Sequence, residues 1–146
     1  MARKLTACRH ERVIFTVKSR NRLVKEAVEI LKTWTKDFDA IAVSGYSSAL
    51  VVPIIAHKLK KNIVLVRKTS ETRFSNHNVE GQHGQRVLFF DDLIDSGSTF
   101  RHIKKGVESI SCRLVGTYLY NSFGCNSVDE DLISMNNYKS DGDIIR

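Results

Sequence analysis

Two adjacent carboxylates, Asp91 and Asp92, follow the apolar run "VLFF" (87–90) and precede a loop of small residues from Ser96 to Thr99. Carboxylates are suited to bind hydroxyl groups or a divalent cation. A loop of Ser, Gly and Thr that enters a helix offers backbone N–H groups and the positive end of the helix dipole to a phosphate. This order of residues therefore predicts a site for a phosphorylated sugar at the end of a strand.

Other phosphate sites fit this stretch less well. A P-loop requires GxxxxGK[ST], but Gly97 is followed by Ser98, and the dinucleotide fingerprint GxGxxG is absent. A phosphoacceptor receiver domain also carries paired Asp residues at a strand end, but only about 55 residues follow Asp91, too few for the rest of that fold. The residues alone leave one alternative open, an Asp-rich turn before a Ser-capped helix that binds nothing.

The elements that position these residues are predicted from apolar periodicity. Strands are predicted at 12–18, 39–45, 62–68, 86–92 and 113–121, and helices at 19–34, 47–61 and 98–110. The expected N-caps are Ser19 for the first helix and Ser47 or Ser48 for the second. Buried strands alternating with helices predict an α/β fold with a central, mostly parallel sheet flanked by helices. Ligands of such sheets bind at the carboxyl ends of the strands.

The predicted organisation is one domain over residues 1–146. It has a basic strand-helix region at 1–36, a core at 39–121 and a short C-terminal segment at 122–146. Within the core, the polar segment 69–85 has no apolar period and is too long for a routine connection, which is typical of functional loops.

Composition limits the class of protein. The chain has 146 residues, of which 42% are hydrophobic, enough for the core of one domain. No run of about 18 apolar residues and no secretory signal pattern occurs, so we expect a soluble, cytoplasmic protein. The three cysteines are odd in number and lack CxxC spacing, which argues against a disulfide framework or a thiolate metal site.

The net charge of +7 is concentrated in residues 1–36, where ten Lys or Arg face three Glu. Such asymmetry is compatible with nucleic-acid binding, an anionic ligand or self-association. We favour a solvated basic face, because the charges are spread through predicted elements rather than run together.

The stretch from Val87 to Thr99 resembles the phosphoribosyl pyrophosphate (PRPP) signature of the type I phosphoribosyltransferases. In that signature four apolar residues precede two acids, two apolar residues and a small phosphate loop. Residues 40–59 look like the family's first strand, pyrophosphate loop and helix, and 64–68 like the strand before its catalytic loop. Residues 79–87 are similar to the return from that loop in orotate-type members, and "LIDSG" (93–97) to the xanthine and hypoxanthine type. The resemblance implies the type I phosphoribosyltransferase fold, with a short or absent hood.

The resemblance also implies a role for each matching residue. Asp91 and Asp92 would bind the ribose hydroxyls, directly or through Mg²⁺. The pyrophosphate would contact six residues: Ser44, Gly45, Tyr46, Ser47, Arg67 and Lys68. The 5′-phosphate would contact five: Asp95, Ser96, Gly97, Ser98 and Thr99. The catalytic candidates are Asp95, Arg73 and Lys68, with His77 as an alternative to Arg73; for Asp95, proton transfer and a loop-stabilising Asx turn both stay open. One of three aromatic residues would stack on the base: Tyr118, Tyr120 or Phe123.

The implied reaction transfers the 5-phosphoribosyl group from PRPP to a nitrogenous base and releases pyrophosphate. The acceptor stays open between a pyrimidine such as orotate and a purine. The resemblance and the uneven charge also predict a homodimer. The alternative is a PRPP-sensing regulator with reduced catalysis that binds nucleic acid through its basic N-terminal region, because "SGYSS" (44–48) and Ser98 depart from common forms of the family's loops.

Overall fold

A five-stranded sheet forms the centre of the computed structural model, which describes residues 3–8, 11–68, 75–92 and 98–120. The strands are β1 (Ala40–Val43), β2 (Asn62–Val66), β3 (Val79–Glu80), β4 (Arg86–Asp91) and β5 (Arg113–Leu119). The helices are α1 (Val17–Leu31), α2 (Tyr46–Ala49), α3 (Val52–Leu59) and α4 (Ser98–Ser109), with 3₁₀ helices at Arg12–Ile14 and Lys32–Trp34.

The sheet has the order β3-β2-β1-β4-β5. β1 pairs in parallel with β2 and β4, β4 pairs in parallel with β5, and β3 pairs antiparallel with β2. The prediction of a mostly parallel sheet flanked by helices is confirmed. β3 lies inside the segment 69–85, which was predicted as a loop. A strand of two residues is too short to show the alternating pattern that would have predicted it.

Alternating residues of the central strands enter two separate hydrophobic clusters. Ile41 and Val43 of β1 pack in the cluster that contains the buried residues of α1 and α3. Ala40 and Ala42 pack in the other, which contains the buried residues of α4. Every residue of β1 is buried, as expected for a central parallel strand covered on both faces.

The predicted N-terminal strand at 12–18 is wrong. Only Ile14 of its apolar residues is buried, whereas Phe15 and Val17 are exposed. Thr16 takes an extended conformation, and its side chain accepts a hydrogen bond from the Ser19 backbone N–H, which makes it the N-cap of α1. The helix therefore begins two residues before the predicted start, with Thr16 rather than Ser19 as the cap.

The helix predicted at 47–61 is divided into α2 and α3. Pro53 lies in the first turn of α3 and has no N–H group to continue the hydrogen bonding of α2. The predicted caps are wrong as well, since Gly45 precedes α2 and Val51 precedes α3. Among the helices of the described ranges, none is long and apolar enough to cross a membrane.

Candidate functional site

The carboxyl ends of four strands meet at one edge of the sheet, because β1, β2, β4 and β5 run parallel. Asp91 ends β4, while Ser44, Arg67 and Tyr120 directly follow β1, β2 and β5. This is the edge at which parallel sheets bind ligands. We call it the ligand edge.

Asp91 is a buried carboxylate at the ligand edge, with 6% of the residue exposed. Its Oδ1 accepts hydrogen bonds of 2.8 Å from the Ser47 hydroxyl and from the Asp92 backbone N–H. Burial, followed by the charge of Asp92, raises the pKa of Asp91 to about 7. The charged form of the Asp91 carboxyl is therefore disfavoured in the chain alone, and a ligand that supplies a cation or hydroxyl donors would stabilise it.

Tyr120 ties three elements together behind this carboxylate. Its hydroxyl donates to the Ser47 carbonyl at 3.2 Å, and its backbone N–H donates to the Asp91 carbonyl at 3.1 Å. These contacts fix the first turn of α2 against the ends of β4 and β5. Within the same turn, the Ser47 hydroxyl points inward to Asp91, whereas the Tyr46 side chain points outward, with 78% of the residue exposed.

Gly45 takes a backbone conformation that an L-residue rarely adopts, with φ 76° and ψ 174°. A Cβ at this position would lie 3.4 Å from the Lys68 amine, so the lysine crosses over the glycine. The preceding Ser44 is 4% exposed, and its hydroxyl has no hydrogen-bond partner among the described residues. A buried hydroxyl without a partner is costly, which favours a polar ligand at this point.

A cavity of about 200 Å³ lies between the strand ends and the start of α4. The described residues that line it are Ser44, Lys68, Ser98, Thr99 and His102. None of the ion pairs within the described ranges includes Lys68. The Lys68 amine and the N-terminus of α4 are both positive, so the cavity is suited to an anion.

Arg67 points its guanidinium toward β3. The group forms an ion pair with Glu80 at 3.3 Å, and Arg67 is not among the described residues that line the cavity. A hydrogen bond from Ser75, followed by the charge of Arg67, lowers the pKa of Glu80. The backbone of Arg67 is also held, since its N–H donates to the Asn78 carbonyl at 2.8 Å and its carbonyl accepts from His102 Nε2 at 2.7 Å.

The aromatic candidates for base stacking differ in their surroundings. Tyr118 is 5% exposed and its ring stacks on Phe90 with a centroid distance of 5.1 Å, while burial raises the pKa of Tyr118 to about 12. It is a core residue that packs in the cluster containing the buried residues of α1 and α3. Tyr120 is partly buried, with its ring 5.9 Å from that of Phe90.

Five of the predicted site residues lie outside the described ranges: Arg73, Asp95, Ser96, Gly97 and Phe123. Sequence reasoning missed His102, which lines the cavity together with Ser98 and Thr99. The spacing in the sequence could have predicted it, because His102 follows Ser98 by four positions and Thr99 by three, and residues at these spacings share one face of a helix.

The sequence matches no protein-family model and no curated protein. The structure, in contrast, is similar to solved phosphoribosyltransferases. Adenine phosphoribosyltransferase from Thermoanaerobacter pseudethanolicus has a TM-score of 0.58 and 23% identity, with 73% of this chain and 70% of that chain covered. Orotate phosphoribosyltransferase from Francisella tularensis has a TM-score of 0.62 and 16% identity, over 84% of this chain and 64% of that chain. The chain has the type I phosphoribosyltransferase fold.

Leishmania donovani UMP synthase is a further match, with a TM-score of 0.60 and 21% identity over 74% of this chain. The chain spans 23% of that protein and less than two thirds of the orotate phosphoribosyltransferase. At these identities the likeness establishes the fold, as the resemblance in the sequence predicted. The prediction of a short or absent hood concerns the C-terminal segment 122–146, which lies outside the described residues of this phosphoribosyltransferase fold.

Proposed function

We propose that this chain transfers the 5-phosphoribosyl group of PRPP to a nitrogenous base and releases pyrophosphate. One observation carries the proposal: the buried Asp91, its neighbour Asp92 and the cavity that Lys68 lines lie at one edge of a phosphoribosyltransferase fold. A phosphorylated sugar with a second anionic group has the chemistry to engage all three features.

The donor would bind in three parts. Its 5′-phosphate would lie at the N-terminus of α4, against Ser98 and Thr99 and against the loop residues 95–97 predicted from the sequence. Its ribose hydroxyls would meet Asp91 and Asp92. Its pyrophosphate would meet Ser44 and Lys68, both of which line the cavity.

Mg²⁺ fits the donor set of Asp91 and Asp92. Within the described ranges, no group of three or more His, Cys, Asp or Glu residues could hold a metal. Magnesium is commonly bound by one or two carboxylates together with water and substrate phosphates, so two carboxylates are sufficient. When bound there, Mg²⁺ supplies charge neutralisation to the pyrophosphate group.

The reaction breaks the bond between the anomeric carbon and the pyrophosphate oxygen, which leaves with the electron pair. A nitrogen of the base forms the new bond to that carbon and loses a proton. Lys68 stabilises the departing anion, and Arg73 and Asp95 are the sequence candidates for charge neutralisation and proton transfer. The chain's main contribution is to hold the reactants in place.

The acceptor is a purine or a pyrimidine such as orotate. The names of the structural neighbours include adenine and orotate phosphoribosyltransferases, which supports a nitrogenous base without separating the two classes. The predicted homodimer and cytoplasmic location stay predictions. The comparisons with solved structures give the regulatory alternative no support.

The test is pyrophosphate release from Mg²⁺–PRPP with a panel of bases: orotate, uracil, adenine, guanine, hypoxanthine, xanthine and nicotinamide. We expect turnover with one member and loss of PRPP binding in the double variant Asp91→Asn with Asp92→Asn. Asp37→Asn, which removes an exposed carboxylate outside the site, is the matched control.

Unchanged PRPP affinity in the double variant would refute the ribose assignment. PRPP affinity without turnover on any base would instead favour the PRPP-sensing regulator.

A further inference from the structure

His102 links α4 to the end of β2, and both elements lie beside the cavity. It lies one turn after Ser98 on α4, and its Nε2 is 2.7 Å from the carbonyl oxygen of Arg67, 35 residues away in sequence. A carbonyl oxygen can only accept, so Nε2 carries the hydrogen of this bond. The contact therefore connects the helix assigned to the 5′-phosphate with the strand end that leads to Lys68.

The chain leaving β2 is held from two sides at Arg67. On one side its N–H donates to the Asn78 carbonyl at 2.8 Å, next to the β2–β3 pairing, and on the other its carbonyl accepts from His102. Lys68 is the next residue, and its amine lies 3.4 Å from the position of a Cβ on Gly45. Fixing the Arg67 carbonyl thus fixes the direction in which Lys68 departs.

Gly106 allows α4 to approach β2 closely enough for this contact. A Cβ at Gly106 would lie 2.7 Å from Cγ1 of Val66 and 3.3 Å from Cγ2 of Val79. Real side chains do not tolerate the shorter distance, and the χ1 angle of valine is stiff, so a larger residue would displace the helix. Gly106 lies one turn beyond His102, on the same face of α4.

We infer that His102 is a positioning residue: through the Arg67 carbonyl it holds the Lys68 amine over Gly45, where the amine meets the pyrophosphate group of the donor. The inference rests on the proposed function for the identity of the ligand. The contact between His102 and Arg67 does not depend on that identity.

The first experiment measures the affinity for Mg²⁺–PRPP and for Mg²⁺–pyrophosphate in variants of His102. Losing one hydrogen bond that positions a charged group should weaken both affinities by about five- to ten-fold in His102→Ala. His102→Gln should recover most of the affinity, because its amide nitrogen reaches close to the Nε2 position. His102→Asn should not recover the affinity, because its side chain is shorter. The control is His57→Ala, which replaces an exposed histidine on α3.

A double-mutant cycle with Lys68→Met separates positioning from a general structural effect. If His102 acts through Lys68, His102→Ala should cause little further loss of affinity in the Lys68→Met background. Gly106→Ala should weaken the affinity in the wild-type background and also lose its effect with Lys68→Met. Additive losses would overturn the inference, and so would unchanged affinity in a folded His102→Ala variant.

If His102→Ala does not fold, the Gln and Asn variants decide the question, and equal affinities of the two variants for the ligand would overturn the inference.

The ¹⁵N imidazole spectrum of the ligand-free chain tests the contact separately. It should show a protonated Nε2 on His102 whose hydrogen exchanges more slowly than those of His57; an unprotonated Nε2 contradicts the contact. A wild-type chain that binds neither PRPP nor pyrophosphate refutes the proposed function and the ligand role of His102, while the spectrum still reports on the contact.

Discussion

Tyr118 lies near the end of β5 and Tyr120 directly follows that strand, but their hydroxyl groups have different surroundings. The Tyr120 hydroxyl donates to the Ser47 carbonyl. For the Tyr118 hydroxyl, no hydrogen-bond partner occurs within the part of the chain that the structure describes. The rings of both pack near Phe90. The pair therefore allows the hydroxyl contact to be measured separately from aromatic packing.

Tyr120→Phe should lower the free energy of unfolding by about 1 kcal/mol, because it removes one partly buried hydrogen bond and keeps the ring. Tyr118→Phe should lower the free energy of unfolding by less, because it removes no hydrogen bond to a described residue. Urea denaturation of both variants and the wild type provides the measurement. Equal losses in the two variants would mean that the contact with Ser47 does not stabilise the fold.

Gly45→Ala should affect both stability and PRPP binding. A non-glycine residue at φ 76° and ψ 174° costs about 1–3 kcal/mol, and relief of that strain would move the Lys68 amine that now lies over the glycine. Gly84→Ala is the control, since Gly84 has φ 73° and open space around its missing Cβ. Thermal unfolding should show destabilisation in both variants, whereas calorimetric titration should show weaker PRPP binding only in Gly45→Ala. A similar PRPP affinity in the two variants contradicts the role of Gly45.

At the scale of elements, an ion pair joins Asp39, the residue before β1, to Arg86, the first residue of β4. It lies at the amino ends of these strands, opposite the ligand edge. Two Arg86 nitrogens contact the carboxylate of Asp39, with Nη2 2.9 Å from Oδ1 and Nε 3.1 Å from Oδ2. The Arg86 backbone N–H also donates to Asp39 Oδ2 at 2.9 Å. The side-chain hydrogen bond from Arg86, followed by the backbone one, lowers the pKa of Asp39 to about 2.

This ion pair predicts an acid-sensitive contribution to stability. A carboxyl group whose pKa is lowered on folding stabilises the protein above its unfolded pKa of 3.8, and the contribution is lost as the pH falls from there toward 2. Because the two side chains are 41% and 42% exposed, solvent screening limits the contribution to about 1 kcal/mol.

Asp39→Asn should therefore be less stable than the wild type at pH 6 by about that amount, and the difference should shrink toward pH 2. Urea denaturation at several pH values measures it, with Glu29→Gln, an exposed carboxylate on α1, as control. A difference that does not change with pH would show that Asp39 stabilises the fold through packing instead.

Periodicity located the elements that carry a continuous pattern. β1, β4, β5 and α4 lie within two residues of their predicted bounds, because their own apolar spacing determines which residues are buried. The prediction of a strand at 12–18 was wrong because a strand also needs a neighbouring strand to pair with, and an apolar run does not show whether one is present. β3 depends on pairing with β2, and its own two residues carry no pattern.

For the whole molecule, PRPP is expected to stabilise the folded chain. A ligand that binds only the folded state at 100 times its dissociation constant adds about 2.7 kcal/mol, which should raise the melting temperature by several degrees. The shift should be smaller when EDTA removes Mg²⁺, because uncompensated charge then opposes binding beside Asp91 and Asp92.

Differential scanning fluorimetry with Mg²⁺–PRPP, with PRPP plus EDTA and with Mg²⁺ alone measures these shifts. The double variant Asp91→Asn with Asp92→Asn should lose the response. A full response to PRPP in EDTA would contradict the assignment of Mg²⁺ to this site.

The sequence by itself determined the fold class and predicted the chemistry that we propose for the donor site, since a strand ending in two acids and a small-residue loop before a helix are local patterns. Only the tertiary structure decided how these residues are held. Ser47 reaches Asp91 across 44 positions, Tyr120 reaches Ser47 across 73, and His102 reaches Arg67 across 35. Local spacing does not specify such contacts, because they depend on the strand order and on how closely α4 approaches β2.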